Sequence, residues 1–241
     1  MSELLIGRGK VARIYKVEES AEALIRKEFS PIYHVKLWNW FFFHSPHPLS
    51  TETGYRYAYW KRRLAHRLCK VFMSDINIPD AICLTDRGFV SEFVKGEVPV
   101  KDDWDNLSVM VRRLEFYFDA IGMPTWSFSW KNPFSVSNFV SSNGRLHIVD
   151  YEQSVPILNT QGVIDYDVIR FKPLEEFIRS NRQKIASVLG NQESRLLREA
   201  LEKTKEYHAK LDIRPKKFTR LLNKSVSKRI NAKKKLVRVV L

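Results

Sequence analysis

Residues 138–150 read Asn138-Phe139-Val140-Ser141-Ser142-Asn143-Gly144-Arg145-Leu146-His147-Ile148-Val149-Asp150. Asn-Gly between two apolar arms is the dipeptide that accepts the positive φ values of a tight hairpin turn. The stretch therefore predicts a loop asparagine, a turn, and a strand over 146–151 that delivers Asp150. The turn folds the chain back, so Asn138 and Asp150 converge from two sides on one hard cation, for which magnesium is the natural occupant. A carboxylate left unpaired in a buried strand is costly, which favours a functional Asp150 over a decorative one. Asn138 taken alone reads equally well as a loop cap.

Upstream, the first thirty residues alternate as paired strands over 4–6, 12–17 and 23–29. Between the first two lies Gly7-Arg8-Gly9-Lys10-Val11-Ala12-Arg13-Ile14. It fits the phosphate-loop pattern G-x-G-x-x-G-x-V, with Ala12 at the third glycine and Ile14 at the last position. Backbone without Cβ can approach phosphate oxygens and aim its N–H groups at them. A plain β-turn is the competing reading; against it stands the placement between two strands, where a dinucleotide fold would need a strand and a helix. The third strand carries Leu24-Ile25-Arg26-Lys27. A lysine there can reach across the sheet to the α- and β-phosphates of a nucleotide, the alternative being a solvated lysine beside Arg26 and Glu28.

Ser50 or Thr51 caps a predicted helix running to about Phe72, with Trp60, Leu64, Leu68 and Val71 at helical spacing. Glu52 opens it and is the expected ion-pair partner of Lys27, with Glu22 and Glu28 as competitors. Strands over 81–84 and 88–93 follow, joined by Thr85-Asp86-Arg87. After Gly96 the pattern turns helical, over 104–121, 166–189 and 192–211. The expectation is an α+β fold of two lobes, β-rich over 1–95 and α-rich over 96–213, with a basic tail over 214–241. A crevice between lobes is where ligands often bind.

The composition agrees with a folded chain. With 241 residues, 44% hydrophobic and 28% charged, disorder is excluded as the default. The strongest apolar run, 37–43, is interrupted by Asn39 and falls short of the roughly 20 residues a spanning helix needs. The first ten residues lack a secretory pattern. Two cysteines, Cys69 and Cys83, cannot build a disulfide scaffold or a four-cysteine metal site, so a reducing, cytoplasmic setting is expected. The net charge of +14 is uneven. From Lys203 onward 14 Lys and Arg face only Glu206 and Asp212, a balance of +12 that leaves +2 for the body.

The order of these motifs resembles the protein-kinase-like superfamily over roughly residues 5–170. The elements are the glycine loop (Gly7, Gly9, Ala12), strand lysine Lys27, helix glutamate Glu52, linker Glu92-Phe93-Val94-Lys95-Gly96, loop asparagine Asn138, and Asp150-Tyr151-Glu152 in place of D-F-G. Within it the chain looks most like small bacterial lipopolysaccharide-core kinases acting on heptose or Kdo, on the stretches 137–140, 144–150 and Ile78-Pro79-Asp80-Ala81. The resemblance implies a bilobal fold, bound ATP and Mg2+, and a sugar or glycolipid acceptor. Nucleotide would lie against Gly7, Gly9, Ala12, Lys27, Glu52 and Glu92, metal on Asn138 and Asp150, and Asp167 would brace the catalytic loop. One departure matters. The family's aspartate base precedes the loop asparagine by about five residues, where this chain has Pro133, with Asn132 as the nearest polar match. An amide takes no proton near neutral pH. Such a base contributes about 10²- to 10⁴-fold, while positioning and electrostatics carry most of phosphoryl transfer. Asn132 is then expected to orient a hydroxyl, with Glu152 or Asp105 as a distant base; the alternative is a pseudokinase that binds or scaffolds without turnover.

Two further features are open to more than one reading. Ten aromatic residues fall between Tyr33 and Trp60, as inter-lobe packing or as an interfacial membrane contact through Trp38, Trp40 and 41–43. The basic tail suits an anionic membrane surface, a nucleic acid or plain solvation. His44 and His47 flank Pro46 without the companions a metal site needs.

Overall fold

The computed structural model describes residues 3–17, 23–99, 104–129, 132, 135–152, 156–158, 164–166, 168–226 and 228. Strands β1 (Glu3–Arg8), β2 (Ala12–Val17) and β3 (Leu24–Phe29) open the chain. With β5 (Ala81–Thr85) and β6 (Gly88–Glu92) they form a five-stranded antiparallel sheet in the order β1-β2-β3-β6-β5. In β3 the residues Ile25, Lys27 and Phe29 are buried and alternate with half-buried neighbours. Strand periodicity of two thus places Lys27 on the apolar face of the sheet.

Between β3 and β5 lie helix α1 (Tyr33–Phe42), a 3-10 turn (Pro48–Ser50), helix α2 (Glu52–Phe72) and the short strand β4 (Ile76–Asn77). Thr51 caps α2 as expected, its side chain accepting from Gly54 N. The α2 helix is buried on nearly all sides. Ala58 and Tyr59 join the core under the sheet, with Phe29 and Phe89. Tyr57, Leu64, Ala65 and Leu68 join the larger core. That core also takes residues of α3 (Trp104–Ile121), α4 (Phe171–Ser180) and α5 (Arg182–Lys210). The helix is therefore shared by a β-rich and an α-rich half rather than owned by the first. The β4 strand ties the halves again, pairing parallel to β8 (Arg145–Ile148), which pairs antiparallel to β7 (Phe139–Ser142).

Several expectations need adjustment. The strand over 146–151 stops at Ile148, leaving Asp150 in the irregular segment just past it. The helix expected from 166 begins at Phe171, because β10 (Ile164–Tyr166) pairs with β9 (Pro156–Leu158). The gap expected near 190–191 is a kink inside α5, where Gly190 has φ 72°. The aromatic-rich α1 helix was not predicted. The start of the basic tail is docked: residues 217–226 are helical, Lys216 N and the Thr219 hydroxyl both donate to Phe42 O, and Leu222 packs on Phe42 and Phe43. Residues 229–241, Pro133 and Asp167 lie outside the described residues, as does the side chain of Asp105.

Candidate nucleotide and metal site

The β7–β8 turn forms as the sequence predicts, with Asn143 at φ 50° and Gly144 at φ 73°. Val149 N donates to Asn138 O at 2.8 Å, so the asparagine and the residue preceding Asp150 sit side by side at the open end of the hairpin. The Asn138 side chain is buried and its Nδ2 donates to Ser127 O. That bond orients the amide and assigns its oxygen as the end a cation would take. Gly96 holds the linker against this hairpin through the paired backbones of Glu97 and Ser141. A Cβ at Gly96 would lie 2.2 Å from Ser141 O, so only glycine allows the approach.

Lys27 reaches the hairpin from the other side. Its ammonium donates to Val149 O at 2.6 Å and to Glu152 Oε2 at 2.9 Å, and lies 4.0 Å from Asp150 Oδ1. Glu152 is fully buried. Its second oxygen accepts from Arg62 Nε, and the same guanidinium donates to Val149 O at 2.6 Å and Pro79 O at 3.0 Å. Lys61, also buried, approaches Glu152 O at 3.4 Å and stands 5.1 Å from the Tyr151 ring centroid. Three buried cations thus gather around Glu152, Lys27 and Arg62 on its carboxylate and Lys61 on its backbone carbonyl, with the Asp150 carboxylate beside them.

The two carboxylates separate in character. Burial disfavours the charged form of both, but for Glu152 the attraction of Arg62 and Lys27 outweighs it and holds the group well below the usual carboxylate range. For Asp150 burial prevails over the pull of Lys27, and the neighbouring charge of Glu152 adds to it, so its pKa is pushed up to about 7. About a third of the Asp150 side chain is still exposed, which leaves the carboxylate open to a ligand. Among the described residues no three His, Cys, Asp or Glu side chains form a ligand cluster. The Asp150 carboxylate and the Asn138 amide oxygen are hard donors of the kind magnesium takes, an ion that keeps most of its positions for water and phosphate.

No family model and no curated protein matches the chain.

The remaining expected residues sort as follows. Glu52 does not pair with Lys27: it is exposed at the start of α2 and binds Arg56 at 2.8 Å, while Glu152 fills the role assigned to it. Glu152 is correspondingly an anchor between Lys27 and Arg62, not a distant base. Glu92 receives Asp80 N on its carboxylate at 2.9 Å, which closes the end of β6 against the segment before β5. Asn132 is buried, and its Nδ2 donates to Trp126 O at 2.9 Å, which ties the side chain to the turn that holds Trp126. Gly7, Gly9 and Ala12 lie on the β1–β2 hairpin, where Gly9 N donates to Ala12 O at 2.8 Å. A Cβ at Gly7 or Gly9 would make only ordinary contacts. Gly88 is different: a Cβ there would fall 1.9 Å from Lys27 O, so it permits the strand pairing that holds Lys27 in place. His47 is buried in the loop after α1, away from this cluster in sequence, and burial together with Lys36 lowers its pKa to about 4.

The sequence pointed to Lys27, Asn138 and Asp150 but missed Lys61 and Arg62. A faint signal existed, since both sit in α2 between the apolar groups Tyr57-Ala58-Tyr59 and Leu64-Ala65. A cavity of about 880 Å³ between α4 and the two arms of α5, edged by Arg179, Arg182 and Arg195, contains none of the cluster residues.

Proposed function

We propose that the protein is an ATP- and magnesium-dependent phosphotransferase of the protein-kinase-like kind. The reading rests on a single observation: the Lys27 ammonium stands 4.0 Å from the Asp150 carboxylate across 123 residues of chain. Lys61 and Arg62 add to it. Three buried cations against the carboxylates of Glu152 and Asp150 leave a formal surplus of one positive charge. A surplus in a low-dielectric pocket is best neutralised by an anion such as a polyphosphate.

In this reading Lys27 holds the α- and β-phosphates, and Glu152 and Arg62 fix it from below. Asn138 and Asp150 hold magnesium, which when bound supplies charge neutralisation to the transferring group. Gly7 and Gly9 leave two positions of the β1–β2 hairpin without a side chain where it would cover phosphate. Lys27 and Asp150 act by position and charge, so no proton needs to pass through either. The acceptor is proposed as a sugar or glycolipid hydroxyl, on the resemblance alone. The binding-module reading is favoured by one observation, the engagement of Asn132 with Trp126 O beside Pro133, where a base would be required.

A thermal melt with magnesium and ATP tests nucleotide binding. A rise in melting temperature that Asp150→Ala and Lys27→Ala each abolish supports it, and no rise in the wild type refutes both readings together. Phosphate release from ATP then separates them: slow release by the wild type and none by Asp150→Ala supports transfer, while binding without release supports the binding module.

A further inference from the structure

Helix α1 is amphipathic in the wrong sense for a buried element. Its apolar residues Tyr33, Leu37, Trp40 and Phe41 follow the i, i+4, i+7, i+8 spacing of one face. That face is exposed, Tyr33 by 78% and Trp40 by 61%, while Asn39 and Phe42 point inward. The polar Asn39 is held there by donating to Ser45 O at 2.6 Å. Such a stripe on a surface helix is not explained by the core of this chain.

The docked start of the basic tail extends the same surface. Within 217–226, Thr219 and Leu222 face α1, which turns Phe218 and Leu221 outward. Phe218 meets Phe41 edge to face at 5.7 Å, and the Lys216 ammonium lies 4.4 Å from the centre of the Trp40 ring. Exposed Lys36, Lys217, Arg220 and Lys224 accompany the rings. No Asp or Glu occurs in 29–51 or in 213–241. The surface thus joins aromatic rings, which favour the headgroup region, to an unopposed cationic field.

We infer that α1 and residues 217–226 together form an interfacial binding surface for an anionic lipid bilayer, with Trp40, Phe41 and Phe218 entering the headgroup layer. Charge complementarity selects this occupant, and the exposed rings select a bilayer over a purely polar polyanion. The inference stands apart from the phosphotransferase reading, because none of its residues belongs to the Lys27 cluster. Two signals are present, as stable interfacial attachment requires.

Flotation of the full chain with vesicles tests it. Binding is expected to equimolar phosphatidylcholine and phosphatidylglycerol and not to phosphatidylcholine alone. Neutralising Lys217, Arg220 and Lys224 to Gln should weaken it by about 100-fold, and Trp40→Ser with Phe41→Ser by about tenfold or more. The exposed positions make these variants compatible with folding, which an unchanged thermal melt verifies. Three results would overturn the inference. The first is equal binding to both vesicle types, and the second is loss of binding in the charge variant with no loss in the aromatic variant. The third is a lipid-free dimer that the aromatic variant dissociates, which would make the face a contact between copies.

Discussion

Lys27 on β3 and Glu152, which lies 125 residues further along the chain, form a 2.9 Å ion pair sealed from solvent. Arg62 completes it from α2. The pair joins the sheet, the central helix and the segment after β8 at one point. Removing one member of a buried ion network leaves its partners uncompensated, at a cost of about 3–5 kcal/mol. Glu152→Gln should therefore lower unfolding free energy by that amount in urea titrations, with nucleotide absent. A loss comparable to a surface change, under about 0.5 kcal/mol, would show the pair to be peripheral.

Asp150 should behave in the opposite way. Its folded pKa lies above its unfolded value, so the native state binds the extra proton and stability falls as pH rises from about 4 towards 7. Asp150→Asn removes that penalty. The variant is expected to melt at a higher temperature than the wild type at pH 8, by a smaller margin at pH 4, and to lose any magnesium-dependent response to ATP. A lower melting temperature at pH 8 would contradict the assigned electrostatics.

His47 gives a second pH dependence with the other sign. The imidazole is buried, both ring nitrogens lack a hydrogen-bond partner among the described residues, and its pKa is lowered to about 4. Unfolding restores a basic histidine, so the unfolded state gains protons first. Stability should be complete above about pH 6.5 and decline as pH falls towards 4, by about 3 kcal/mol at most. His47→Leu should flatten this part of the profile measured by chemical denaturation.

The glycines divide into two kinds. Gly88→Ala forces a Cβ against Lys27 O and should destabilise the fold by about 1–3 kcal/mol or more, as overpacking does. Gly7→Ala and Gly9→Ala meet no such contact and should leave stability within about 0.5 kcal/mol. If the β1–β2 turn covers phosphate, the same two changes weaken ATP binding in calorimetry; unchanged affinity would remove the turn from the site.

Much of the local architecture was legible because it depends on neighbours in the chain. The Thr51 cap, the Asn143-Gly144 turn, α3 and the strand pairs β1–β2 and β5–β6 each follow from spacing within a few residues. The burial of Lys27 between Ile25 and Phe29 was not read from the strand, where a solvated lysine beside Arg26 and Glu28 remained an alternative. The α1 helix was missed because its second half is a nearly continuous apolar run, 37–43, in which Trp38, Phe42 and Phe43 hide the helical period.

The partner of Lys27 was not legible. The resemblance placed the carboxylate at Glu52, on the helix; folding instead brings two cations from that helix, Lys61 and Arg62, and takes the acid from the far side of the hairpin. The sequence marked Glu152 only as the third residue of Asp150-Tyr151-Glu152 and as a distant base, and no local spacing links it to Lys27. Local sequence determined which residues bear charge and on which face of an element they lie. Tertiary structure alone decided which charges meet, because in a water-poor interior an ion is stable only beside its counterion, and those counterions lie 90 and 125 residues away.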